Sequence, residues 1–278
     1  MKNNRLLLLI LTLFFLFNIV YSQPEYPQVS PGAQVSQRIG ITDVTVTYHR
    51  PGVKGRLVWG GLVPLEKIWR AGANEATTIE FSTDVTIGKT LVPAGKYSIF
   101  ILPTTKTATI IINKKNDLWG TNGYDENDDI VRLRADLDYL EHQEWLIYTF
   151  ENLTKNSADL RMRWEDFGIG FTISVETDKF VLEGARKSKG WKELLNAANY
   201  CLENNVSLDE GRKWIDESLA EEKNYWNMVV KAKYLANDGQ FDGARKIMED
   251  AIKTGKEMDQ VPYNVEEMEK LLKEWKNQ

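Results

Sequence analysis

Five cations share the stretch RPGVKGRLVWGGLVPLEKIWRAGANEATT, residues 50–78, with two tryptophans and five glycines. Arg50, Lys54, Arg56, Lys67 and Arg70 face only Glu66 and Glu75, a local positive surplus in a chain whose formal net charge is −5. Arginines beside aromatic faces suit carboxylate, phosphate or sulfate groups, and tryptophan faces suit sugar rings. Glycines let a backbone approach such a ligand closely. The candidate binding set is therefore Arg50, Lys54, Arg56, Trp59, Trp69, Arg70, Asn74 and Glu75, directed at a small anion or a glycan. RAGANEATT places Arg70, Asn74 and Glu75 on a turn between two strands, where polar groups converge. Glu75 and Asp84 are the candidates for a carboxylate pair in glycoside hydrolysis, which requires them within about 5–10 Å of one another. A structural reading competes with all of this. In it Arg70 and Glu75 form a buried ion pair that locks a long connection, while Trp59, Trp69 and Trp119 plug the end of a sandwich.

Other chemistries find less. His49 and His142 are far apart and Cys201 is the single cysteine, so no zinc-ligand spacing exists and no metal or cofactor is expected. His49 reads as a strand residue with a hydrogen-bonded ring. DENDD at residues 125–129 lacks the alternating ligands and central glycine of a calcium loop and reads as a solvated acidic loop. There is no Gly-x-Ser-x-Gly elbow, no Ser-x-x-Lys, and no Gly-Lys-Ser/Thr behind the glycines at 52–61.

Short strands must carry the charged stretch. From residue 34 to 176 the hydrophobic period is mostly two: in TDVTVTYH, Val44, Val46 and Tyr48 share one face. TTIEFS, KYSIFIL, TATIIIN, EWLIYTF, DLRMRW and GFTISVE repeat the pattern, with turns at Gly88, Pro93-Ala94-Gly95 and Asn122-Gly123. The expectation is an antiparallel β-sandwich or jelly-roll-like domain over residues 23–183. Residues 127–141 read equally as one short helix or a polar strand.

Behind a basic linker at 184–190 the period turns helical, giving an all-α domain over 191–278. Ser207 and Glu210 have capping-box spacing, with Leu208, Ile215 and Leu219 on one apolar stripe. Ala232, Gly239, Phe241, Ala244 and Ala251 occupy the small, turn and aromatic positions of a tetratricopeptide-like hairpin. An earlier copy precedes it: Ala198 and Tyr200 stand 34 residues before Ala232 and Tyr234. A last helix at about 264–276 would cap the stack through Met268, Leu271 and Leu272, and the aromatic residues Trp191, Trp214, Tyr225 and Trp226 read as packing.

SPGAQVSQRIG, VTVTYHRPGVKGR, WGGLVPLEKIWRAGANEATTIEFSTDV, AGKYSIFILP and Trp119-Gly120 follow one another in the order seen in a bacterial family catalogued as domain of unknown function 2911, which residues 30–180 resemble. That resemblance implies an exported protein of Gram-negative bacteria and transfers no activity, ligand or catalytic residue.

Lys2, Arg5 and the apolar run at residues 6–20, with Val20 and Ser22 before Gln23, read as a signal peptide over 1–22. Export to the periplasm or beyond is expected, with no membrane insertion after cleavage. Losing Lys2 and Arg5 would take the net charge from −5 to −7, a poor balance for nucleic acid. With one cysteine no intrachain disulfide is possible, so packing must supply stability. The expected function is non-catalytic: an anionic small molecule or glycan on the β domain, and a protein or peptide partner on the helical repeats. The alternative is a hydrolase of glycan or cell-envelope material using Glu75 and Asp84.

Overall fold

The structure, a computed structural model, describes residues 26–276 and 278. The leader expected at 1–22 lies outside them.

The sandwich follows from alternation. One sheet has six strands, in the order β1 (Gly32–Ile39), β2 (Thr42–His49), β3 (Thr78–Phe81), β6 (Gly95–Pro103), β7 (Thr107–Asn113) and β8 (Asp129–Asp136). The other has four, in the order β5 (Thr90–Val92), β4 (Val85–Ile87), β10 (Ser157–Ser174) and β9 (Asp138–Glu151), and every pairing in both sheets is antiparallel. Val44 and Val46 sit opposite Phe81 and Ile79 in the β2–β3 register, and all four point into the core. There they meet Leu146, Tyr148, Leu160 and Met162 from the second sheet. Strands β6 and β7 are apolar on both sides for a reason: Phe100 of β6 and Ile111 of β7 turn outward and are covered by Ala76, Ile68, Leu118 and Tyr124.

The ambiguous residues 127–141 are strand. Asp125 caps a single 3₁₀ turn by accepting from the Asn127 N–H at 2.9 Å, and the chain then runs as β8 and β9. Val131 opposite Ile112 and Leu133 opposite Ile110 supply the inward positions that decide for a strand.

Between β2 and β3 the chain takes 28 residues, 50–77, without a regular element, and the two sheets hold it. Trp69 and Ile101 exchange both backbone hydrogen bonds at 2.8 Å, attaching the connection to β6. Val53 N–H donates to the Glu144 carbonyl and Leu146 N–H to the Pro51 carbonyl, attaching it to β9.

Six helices complete the chain: α1 (Thr177–Ala185), α2 (Trp191–Asn204), α3 (Leu208–Glu221), α4 (Tyr225–Asn237), α5 (Phe241–Lys256) and α6 (Val265–Trp275). Helix α2 packs on α3, α4 on α5, and α6 on α5. Ala232, Ala244 and Ala251 are fully buried, where their small side chains let α4 and α5 approach closely. Two expectations need correction. Residues 177–185 are helical, with Leu182 buried in the helical core. The Ser207–Glu210 capping box does not form: Ser207 has φ 44° and makes no capping bond, because Arg186 draws Glu210 into a two-point ion pair at 2.8 Å. The capping box lies at Asn224 and Asn227 instead.

Gly211 marks the tightest helix contact, since a β-carbon there would stand 1.9 Å from the Tyr234 hydroxyl and 2.9 Å from Cys201 Cβ. Tyr234 is fixed by its own bond to the Ala198 carbonyl at 2.7 Å. Gly211→Ala should therefore cost about 1–3 kcal/mol of unfolding free energy. Gly184→Ala, with open space around it, should be neutral or stabilising by up to about 1 kcal/mol. Urea unfolding of the two variants checks this, and equal midpoints would contradict the packing described.

Candidate functional site

Where the 50–77 connection crosses the end of the sandwich it encloses a pocket of about 270 Å³. Lys54, Arg56, Trp69, Arg70 and Asn74 line it, so five of the eight expected binding residues converge. The other three do not. Arg50 Nε donates to the Leu146 carbonyl at 2.9 Å, which makes it a tie between connection and strand. Trp59 stands behind the wall, edge-on to Trp69 at 5.6 Å and to Phe167 at 5.7 Å. Glu75 meets His49 Nδ1 at 3.3 Å and pairs in a short bridge with Trp119, which is 60% exposed and plugs nothing.

Trp164 is the aromatic lining residue that sequence reasoning missed. It lies on β10 at an inward position and is 1% exposed, so its sequence context reads as core. The register shift that follows it at Glu165, with φ 55°, is the kind of bulge that re-aims a neighbouring side chain. Trp164 stacks on Trp69 with centroids 5.8 Å apart and planes 19° from parallel, forming an aromatic wall.

The hydrogen bonds around this wall are unbalanced. Trp69 Nε1 donates to the Gly72 carbonyl at 3.1 Å, but the indole N–H groups of Trp59 and Trp164 are buried without a partner among the described residues. So is Arg70 Nε. Burial alone pulls the Arg70 guanidinium below its ordinary value, with no neighbouring carboxylate to offset it. The expected Arg70–Glu75 ion pair is thus absent among the described residues. An arginine remains charged even so, and a desolvated charge without a counterion is costly. Arg56 is better served, donating from Nε and Nη2 to the carbonyls of Val53 and Gly52. The ammonium group of Lys54 lies 5.5 Å over the Trp145 ring.

The backbone that presents Arg70 is itself constrained. Lys54, Glu66, Ala71 and Asn74 all have φ between 52° and 60°, the left-handed region that side chains disfavour by roughly 1–2 kcal/mol each. Ala71 is held there by its carbonyl, which accepts from Tyr148 Oη and Thr77 Oγ1, both at 2.9 Å. Gly72 comes next because a β-carbon would stand 2.7 Å from Thr77 Oγ1. Strain of this kind gathers at ligand-binding segments.

The carboxylate pair is not assembled. Asp84 Oδ1 accepts from the Ala94 N–H at 2.8 Å, Glu75 faces His49, and neither lines the pocket. Three of the four acids of DENDD also have partners: Asp125 caps its turn, Asp128 pairs with Lys115, and Asp129 bonds Arg132, Tyr124 and Asn113.

One titratable group stands behind the pocket. His142 Nδ1 lies 3.1 Å from Asp166, and its Nε2 lies 3.4 Å from Glu144, whose other oxygen accepts the Lys54 N–H at 2.9 Å. Asp166, and next Glu144, raise the His142 imidazole above its ordinary value of 6.5. The Lys54 N–H, and behind it His142, hold the Glu144 carboxyl below the usual range.

On the helices a second cavity, of about 430 Å³, opens between α2, α4 and the start of α6. Asn196, Asn199, Trp226, Lys233, Tyr263 and Asn264 stand in its wall, and Tyr263 is 91% exposed.

Residues 30–173, just over half of the chain, match the model of a family described as "Protein of unknown function (DUF2911)". No curated protein and no solved structure matches the chain.

Arg70→Leu should leave the unfolding free energy unchanged or raised, against the loss of about 3–5 kcal/mol that breaking a buried ion pair brings. Chemical denaturation decides, and a loss on that scale would show a partner for Arg70 that the geometry lacks. For His142, whose value is raised by folding, the stabilisation is complete below pH 6.5 and is lost as pH climbs through the raised value. His142→Gln should flatten that decline in a series of melting curves; an identical decline would contradict the role.

Proposed function

Because the chain belongs to the DUF2911 family, a membership that carries no activity, we propose from the site itself that this is an exported, non-catalytic binding protein whose β domain holds a small anionic ligand in the pocket under Arg70. The observation that carries the reading is the Arg70 guanidinium, partly desolvated and without a counterion in a pocket whose lining has no carboxylate. An anion supplied from solution would complete the missing ion pair with charge-assisted, two-point hydrogen bonds. A structural arginine would be expected to carry its own carboxylate. Export is supported by Lys2, Arg5 and the apolar run behind them. The tetratricopeptide-like reading is supported by the buried alanines of α4 and α5, and the cavity edged by Trp226, Tyr263 and asparagine amides is the place for a protein or peptide partner.

The test is spectroscopic. Trp69 and Trp164 form the pocket wall, so tryptophan fluorescence should change saturably when the purified protein is titrated with small anions. The same titration of Arg70→Leu should give no saturable change. Fluorescence that ignores every anion, or responds equally in both proteins, would overturn the reading.

A further inference from the structure

Donors and acceptors in the pocket are so unequal that they specify what can fill it. On the donor side, the buried Arg70 Nε makes no hydrogen bond among the described residues, and the Trp164 indole N–H is likewise unpartnered there. Arg56 uses Nε and Nη2 on carbonyls and keeps Nη1, while Lys54 brings an ammonium group held only over an aromatic face. On the acceptor side the lining has no carboxylate. Four of its carbonyls are already engaged: Ser30 accepts from Asn74, Pro51 from Leu146, Gly52 from Arg56 and Gly72 from Trp69.

A neutral glycan fits such a lining poorly. Every sugar hydroxyl brings a proton that needs an acceptor, and a buried hydroxyl without one costs about 1–3 kcal/mol. An ionised carboxylate or phosphate group only accepts. The charge count points the same way: Lys54, Arg56 and Arg70 line the pocket with no acid among them, so one negative charge would leave it strongly positive. Glu144 lies behind the Lys54 backbone and spends itself on that N–H and on His142. The cavity is also small, just under the roughly 300–1,000 Å³ of sites for drug-sized molecules. At one side its wall is the stacked pair Trp69 and Trp164.

We infer that the ligand is a small organic polyanion, carrying at least two carboxylate or phosphate charges and few hydroxyl protons, with one oxyanion group held by Arg70. This rests on the anion-binding reading and narrows it: a glycan without charge is a poor occupant, and a monoanion is only a partial fit. Arg70 receives the oxyanion, Lys54 and Arg56 neutralise the remaining charge, and the tryptophan wall packs the body of the ligand.

Calorimetric titration of the purified protein with four probes separates the possibilities: citrate, phenyl phosphate, acetate and methyl glucoside. Citrate or phenyl phosphate should bind on the order of tenfold or more tighter than acetate, as each added charge meets a further cation of the lining. Which of the two binds more tightly distinguishes a polycarboxylate from a phosphate ester. Methyl glucoside should give no heat. Arg70→Leu should weaken the tighter polyanion by on the order of tenfold to a hundredfold, and Arg70→Lys, which keeps the charge but loses the two-pronged geometry, should restore only part of it. Acetate or methyl glucoside binding as tightly as the polyanions, and lost in Arg70→Leu, would overturn the polyanion inference while leaving the binding function standing. No Arg70-dependent binding of any probe would overturn both.

Discussion

A guanidinium group taken partly out of water with no carboxylate beside it is an expensive thing for a fold to hold, and much of this β domain is arranged around holding one. Arg70 sits between two anchors. On its N-terminal side Trp69 is locked into the edge of β6 by paired backbone bonds with Ile101. On its C-terminal side Ala71 is kept left-handed by Tyr148 and Thr77, whose hydroxyls share its carbonyl. Tyr148 in turn packs edge-on against Tyr48 at 4.8 Å, so the rim of the pocket is tied to the centre of the sandwich. The residue that most needs a partner is thus among those least able to move toward one. That rigidity preorganises the pocket and lowers the ordering cost of binding.

The same logic explains which parts of the molecule were legible in the amino-acid sequence. Strands such as TDVTVTYH and TATIIIN were readable because each inward position is apolar, and a slip of one residue would turn that face to water. The cationic stretch stood out as a candidate site from composition alone. Its internal geometry was not, because an irregular connection has no period from which to infer direction. Arg50, Trp59 and Glu75 are close in sequence to the pocket residues, yet bond to Leu146, stack behind the wall and face His49. Trp164 lies far along the chain on a strand whose alternation hides it in the core. Helix α1 was lost for a related reason: its nine residues run straight into the basic Arg186–Lys189 segment, and its first turn carries little apolar signal.

The two halves of the chain meet through a compact polar cluster. Lys155, in the turn between β9 and β10, contacts Asp178 of α1 at 2.5 Å and Asn204 of α2 at 2.9 Å, and lies 5.0 Å over the Tyr200 ring. Tyr200 donates to the same carboxylate at 2.5 Å, and Thr177 reaches back to the Lys155 carbonyl. Lys155, and after it Tyr200, hold the Asp178 carboxyl below the usual range. The helices are therefore fastened at the turn that begins β10, the strand that carries Trp164 to the pocket wall. Exposed ion pairs of this kind are individually weak, and their value here is in fixing orientation.

The most direct measurement is a crystal structure of the protein grown in citrate. The account predicts carboxylate oxygens within about 3.2 Å of the Arg70 guanidinium, beside the Trp69–Trp164 wall, with Glu75 still on His49. A pocket holding only water, with Arg70 turned onto Glu75 or another carboxylate of the chain, would contradict it.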